Sequence, residues 1–176
     1  MKCWRRIEAH SASEKKLLWL SVISATLVLL ADIFTKIYFT TWNLGESRDV
    51  IPGIISFTYV RNLGAAWSIL SGYRGVLTVF GLVVAVIIGM FFRKFAENCP
   101  ERYPALLLVV SGIIGNSADR IFRGAVVDFI HVHYYDSWHY PIFNIADIAI
   151  CCGIAVFVLS GFFRKDLKKE NENCNS

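Results

Sequence analysis

Charge is scarce in this chain, and what there is lies in clumps. Only 18% of the 176 residues are Asp, Glu, Lys or Arg, whereas 55% are hydrophobic, with a mean hydropathy of +0.49. Soluble domains carry about 25% charged residues, so an ordinary water-soluble globule is excluded. No polar stretch is long enough for a second domain, and residues 1–176 are expected to form one. Cysteines are few: Cys3, Cys99, Cys151, Cys152 and Cys174, with no CxxC pair. Their odd number argues against a disulfide framework, and no Cys/His grouping has zinc-ligand spacing. His131, His133 and His139 crowd together without supporting carboxylates, which is weak for a metal. No metal or cofactor is expected. The net charge is +4, but the basic residues sit in short runs beside apolar segments. They read as membrane orientation signals and not as a nucleic-acid surface.

What is present is a set of long apolar segments. LLWLSVISATLVLLA (Leu17 to Ala31) carries no charge. A signal peptide is the rival reading, but Asp32 and Lys36 follow where a small-x-small cleavage site would stand. Helices are expected at about 17–39, 75–92, 103–122 and 142–163. Residues 40–74 hold Gly45, Pro52, Gly53, Gly64 and Gly72 around the β-rich piece IISFTYV, and residues 123–141 form a loop rich in aromatics and histidine. The expected fold is a membrane all-α, four-transmembrane-helix bundle with a small extracytoplasmic β-rich segment between helices 1 and 2. Basic residues crowd both tails and the loop after Phe92, which puts both termini in the cytoplasm and 40–74 and 123–141 outside.

Polar residues interrupt the apolar segments at one depth. At ~1.5 Å per residue, Asp32 lies ~22 Å beyond Leu17, and Asp119 and Asp147 lie ~24 Å beyond Tyr103 and Phe163. The hydrocarbon core is ~30 Å thick. Three helices therefore set a carboxylate at one level in the outer part of the membrane. Asp32 and Lys36 are i, i+4, suited to an ion pair. Asn116, Asp119, Arg120 and Arg123 share a face, as do Asn144 and Asp147. Burial cost turns these faces inward. Asp32 with Lys36 and Asp119 with Arg120 read as structural pairs. Asp147 has no basic residue within a turn, and Asp128 sits in GAVVDFIHV among Val and Phe. Two such carboxylates near each other share one proton, as in aspartic proteases.

At these residues the chain resembles the lipoprotein signal peptidases, the type II signal peptidases of bacterial membranes, from about residue 17 to 163. DIFTK (Asp32 to Lys36) is similar to the family's D-x-x-x-K, and NLGAAWS (Asn62 to Ser68) to N-x-G-A-A-F-S. GNSADRIFRGAVVDFI (Gly115 to Ile130) is similar to G-N-x-x-D-R-x-x-x-G-x-V-V-D-F, and FNIAD (Phe143 to Asp147) to F-N-x-A-D. Trp67 stands where the family commonly has Phe. The resemblance puts the catalytic aspartates at Asp128 and Asp147. It puts supporting or substrate-binding residues at Asp32, Lys36, Asn62, Gly64, Asn116, Asp119, Arg120 and Asn144.

The resemblance also implies an aspartic endopeptidase of the bacterial inner membrane, with its active site toward the extracytoplasmic face. The substrate is a diacylglyceryl-modified prolipoprotein, cut just before its lipidated cysteine. One aspartate activates a water and the other donates a proton, without metal or acyl-enzyme. Membrane phospholipid surrounds the enzyme, which is expected to be a monomer. Asn62, Asn116 and Asn144 are expected to bond substrate backbone, and Arg120 a lipid headgroup or substrate carbonyl. A proton or ion translocator is the alternative class, but its carboxylates would form a ladder through the membrane.

Overall fold

The computed structural model describes residues 2–64, 72–96, 99 and 102–174, and the side chains of these from residue 13 to residue 162. Trp67 and the rest of 65–71 lie outside the described residues.

Five helices and four strands alternate along the chain. Helix α1 runs Lys2–Phe39, α2 Arg74–Met90, α3 Phe92–Ala96, α4 Arg102–Phe122 and α5 Ile145–Cys174. Three of them are long and apolar enough to cross a membrane: α1 over Ser13–Phe39, α4, and α5 over Ile145–Phe162. Helix α2 is apolar but has 17 residues, ~25 Å of rise. Its end falls before the expected Phe92 because the backbone leaves the helix at Phe91, and α3 starts one residue later. The outward faces of these helices are apolar, with Trp19, Phe34, Phe80 and Phe162 among the most exposed side chains. Lipid is the solvent such faces fit.

Helix α4 is the central post, in contact with α1, α2 and α5. Its buried stripe of Ala105, Val109, Gly112, Asn116 and Asp119 recurs at helical spacing. The approach to α5 is set by glycine. A Cβ on Gly112 would lie 2.4 Å from the Ala146 carbonyl oxygen, and one on Gly153 would lie 2.6 Å from that of Ala105. Backbone meets backbone, as at the small-residue interfaces of membrane helices.

The sheet departs from the all-α expectation. Strands β1 (Ser47–Ile51), β2 (Ile55–Asn62), β3 (Val126–Tyr134) and β4 (Trp138–His139) form one antiparallel sheet in that order. Half of it comes from the segment read as a loop. VVDFIHV is rich in β-branched and aromatic residues, and β2, far upstream in the chain, offers it a partner, pairing Val60 with Asp128 and Asn62 with Val126. Helix α5 consequently begins at Ile145, three residues after the expected start.

Alternation on β3 then divides its side chains. Val127 and Phe129 join Phe39 and Tyr59 in a buried cluster at the end of α1, with the Phe39 and Phe129 rings stacked at 4.3 Å. Asp128 points to the other face. The turn into β3 needs Gly124, whose φ of +77° ends α4 and returns the chain toward the bundle.

Gly112→Ala is expected to destabilise the protein by about 1–3 kcal/mol, because backbone must move to admit the methyl. Gly89→Ala, where a Cβ meets nothing within 4 Å, should leave thermal unfolding in detergent unchanged or slightly raised.

Candidate active site

Lys36 is the buried cation around which the polar residues gather. Its Nζ lies 2.8 Å from Asp32 Oδ2 and 3.0 Å from Asp119 Oδ2, all three side chains being about 1% exposed. It also donates to Asn116 Oδ1 at 3.0 Å. Each carboxylate then grips a peptide group. Asp32 Oδ1 accepts the Ala146 N–H at 2.9 Å, and Asp119 Oδ2 accepts the Val127 N–H at 3.1 Å. Ala146 and Val127 are the residues just before Asp147 and Asp128, so α1 and α4 hold both backbones through one lysine. Gly115 makes room for this: a Cβ there would lie 2.6 Å from Asp32 Oδ2.

The expected Asp119–Arg120 pair does not form. Asp119 pairs with Lys36 and with Arg123 one turn on. Adjacent helix residues project about 100° apart, so the i+4 neighbour is the better placed. Arg120 donates instead to the Gly64 carbonyl at 3.2 Å and the Asn116 carbonyl at 3.5 Å.

FNIAD closes as a capping box. Asn144 is the residue before α5; its Oδ1 accepts the Asp147 N–H at 3.0 Å, and Asp147 Oδ2 accepts the Asn144 N–H at 3.1 Å. The three-residue spacing is what reciprocal capping requires. Asn144 Nδ2 reaches across to Asp128 Oδ1 at 2.7 Å, so one asparagine touches both carboxyls. Asn62 Nδ2 bonds Asp128 Oδ2 at 3.0 Å, while Asn62 Oδ1 accepts the Gly64 N–H at 2.9 Å. That contact follows from sheet register, which sets Asn62 diagonally across from Asp128 on one face.

Asp128 and Asp147 are therefore less isolated than their sequence neighbours imply. Asp147 Oδ1 also accepts from Asn116 Nδ2 at 2.8 Å, so each carboxyl holds two N–H donors, and among the described residues neither is in an ion pair with a Lys or Arg. The asparagines expected to meet substrate are engaged with the carboxyls. Asp128 is 2% exposed. Burial, then the Asp147 charge, pushes its carboxyl up to about 7, against the pull of the Asn62 and Asn144 amides and of Lys36.

Both carboxyls line a cavity of about 200 Å³ that also includes Asn62, Asn116, Arg120, Tyr140 and Cys151. Asp128 opens as well onto a wider groove of about 420 Å³ between Arg61–Asn62 and His139–Ile142. Residues 140–143 and Cys151 were not foreseen as site residues. Cys151 could have been found, since it lies one turn after Asp147; the 140–143 strap could not, because its place depends on β3. His131, His133 and His139 gather on the sheet with ring centroids 4.8–5.8 Å apart. Among the described residues no group of three or more His, Cys, Asp or Glu is arranged to hold a metal.

Comparison with known proteins converges on one family. A family model described as Signal peptidase (SPase) II matches residues 24–163. The Lipoprotein signal peptidase of Actinobacillus succinogenes is 38% identical over 161 residues, covering 88% of this chain and 94% of its own. That of Haemophilus influenzae is 39% identical over 165 residues, covering 89% and 93%. A solved bacterial membrane enzyme shares the fold with a TM-score of 0.79 at 34% identity, covering 86% of this chain and 92% of its own.

The shared lysine makes one outcome specific. Lys36→Met leaves two buried carboxylates facing each other and is expected to cost about 3–5 kcal/mol, read as lost thermal stability in detergent. Adding Asp32→Asn should recover part of that loss by removing one of the two charges.

Proposed function

The chain belongs to the signal peptidase II family, and from that membership we propose that Asp128 and Asp147 are the catalytic pair of this enzyme. It is a membrane-embedded aspartic peptidase that removes signal peptides from lipoprotein precursors. The observation that carries the assignment is the convergence of a strand carboxyl and a helix carboxyl on one cavity through a single asparagine, Asn144.

The pair works as an acid and a base. The ionised member takes a proton from a water held between the carboxyls, the water attacks the scissile carbonyl, and the protonated member donates to the carbonyl oxygen. The substrate is a diacylglyceryl-modified prolipoprotein, cut just before the lipidated cysteine. Supporting this, the cavity has an apolar wall of Val126, Ile142, Phe143 and Ile150 beside its polar floor. Asp32, Lys36, Asn62, Gly64, Asn116, Asp119, Arg120 and Asn144 serve as the supporting frame. A translocating role lacks such support, because the buried carboxyls cluster about one lysine.

In this reading the whole chain is one membrane peptidase domain in the inner membrane, acting as a monomer among phospholipids. Helix α2 is the fourth span. Both termini are cytoplasmic, and the sheet and catalytic cavity face the extracytoplasmic side. The basic runs at Lys15–Lys16, Arg93–Lys94 and Arg164–Lys165 support that orientation.

Asp128→Asn and Asp147→Asn should each reduce single-turnover cleavage of a lipidated prolipoprotein by at least ~10²-fold while the protein stays folded. The double variant should be little worse than either, since the two act as a unit. Reporter fusions at Lys94 and Tyr134 should give opposite compartment signals; identical signals overturn the four-span topology.

A further inference from the structure

Two arginines at the sheet end of the bundle have no counter-charge. Arg61 on β2 donates to the Arg123 carbonyl at 2.7 Å, and Arg74 at the start of α2 reaches the next carbonyl, that of Gly124, at 3.4 Å. A carbonyl is a dipole and cancels no charge. Neither β2 nor α2 contains an acidic residue, and among the described residues neither arginine is in an ion pair. The cations of the buried cluster are placed differently. Lys36 and Arg123 hold carboxylates, and Arg120 shares a cavity with Asp128 and Asp147. Arg61 and Arg74 are therefore surplus positive charge, held on one turn at the end of α4.

Beside Arg74, helices α2 and α4 leave a cleft of about 340 Å³ lined by Arg74, Gly75, Thr78, Val79, Arg120 and Ile121. Both of its charged side chains are guanidiniums. The missing side chain of Gly124 seats the first of them, since a Cβ there would lie 2.8 Å from Arg74 Nη1. With one long contact on one nitrogen, Arg74 keeps most of its five N–H donors for another acceptor. The apolar lining opens outward. Val79 is 62% and Ile121 57% exposed, and exposed Val83 continues the apolar row one turn along α2. A cationic end thus adjoins a face that fits lipid.

We propose that the cleft between α2 and α4 binds an anionic phospholipid, with Arg74 and Arg120 on the phosphate and Val79 and Ile121 against the acyl chains. The guanidinium fork matches phosphate oxygens two at a time, and Arg61 adds to the positive potential of the same turn. A diacylglyceryl group alone carries no charge and would leave these arginines unmatched, so the occupant is a lipid of the bilayer and not the lipid of a substrate. Arg120 then stands between two cavities, with the carboxyls Asp128 and Asp147 in one and a lipid phosphate in the other. The site goes beyond the peptidase reading and stands whether or not the catalytic pair is correct.

The test places the full chain in nanodiscs of phosphatidylcholine and phosphatidylglycerol with identical acyl chains. Native mass spectrometry after release then counts the lipids retained. The wild type should keep phosphatidylglycerol over phosphatidylcholine by about fivefold or more. In Arg74→Gln the ratio should fall toward one, and in Arg74→Lys it should recover in part. Lys94→Gln, a cation on α3 outside the cleft, should match the wild type. A purely structural Arg74 would leave the ratio unmoved, which overturns the proposal, as does equal retention of the two lipids by the wild type. If Arg74→Gln does not fold, Val79→Trp decides: a ring filling the cleft should abolish the preference with both arginines intact, and an unchanged preference overturns the proposal. Displacement of the lipid by soluble glycerophosphate would assign the cleft to a free phosphate, and displacement by a diacylglyceryl-cysteine peptide would assign it to the substrate. Either result overturns the lipid site.

Discussion

One buried ammonium group organises this protein. Lys36 meets Asp32, Asp119 and Asn116 within 3.0 Å, and what each of those partners does next is the rest of the site. Asp32 fixes the first turn of α5, Asp119 fixes the start of β3, and Asn116 addresses Asp147. An isolated lysine at this depth would be heavily penalised. Here it is matched by two carboxylates whose remaining oxygens are occupied by backbone N–H groups. Such a cluster is poor as a simple source of stability. It is effective at joining a helix, a second helix and a strand in one relative placement.

The sheet supplies what helices alone could not. A strand presents neighbouring residues to opposite faces, so β3 sends Phe129 into the aromatic cluster under α1 and Asp128 into the cavity. The β2 register brings Asn62 to the same face. The strand is thus anchored by its apolar side while its polar side works. Helix α5 meets it with a carboxyl held in a capping box, a local device that requires only the four residues from Asn144 to Asp147.

Much of this was legible from sequence, for identifiable reasons. Long apolar runs announced the helices, and Asp32 with Lys36 announced an i, i+4 pair, because both signals are local. The common depth of Asp32, Asp119 and Asp147 followed from helical rise alone. Other features depended on contacts between distant segments. The strand Val126–Tyr134 was hidden because its partner lies in β2. Asp119 was matched with Arg120 by adjacency, when its partners are Arg123 by helical geometry and Lys36 by packing. Asp128 and Asp147 looked isolated because their donors come from Asn62 and Asn116 on other elements.

The Lys36 cluster also bears on how such a protein enters a bilayer. Its carboxyls are Asp32, Asp119, Asp128 and Asp147, and its cations are Lys36, Arg120 and Arg123. With a single proton shared by Asp128 and Asp147, the assembled group is electroneutral, although the shares contributed by α4 and α5 are not. The first helix inserts carrying its own matched pair, whereas α4 and α5 bring unbalanced charge that is cancelled only on meeting the others. A bundle lacking α4 retains net negative charge in hydrocarbon, and docking of α4 removes it as the polar cluster is completed.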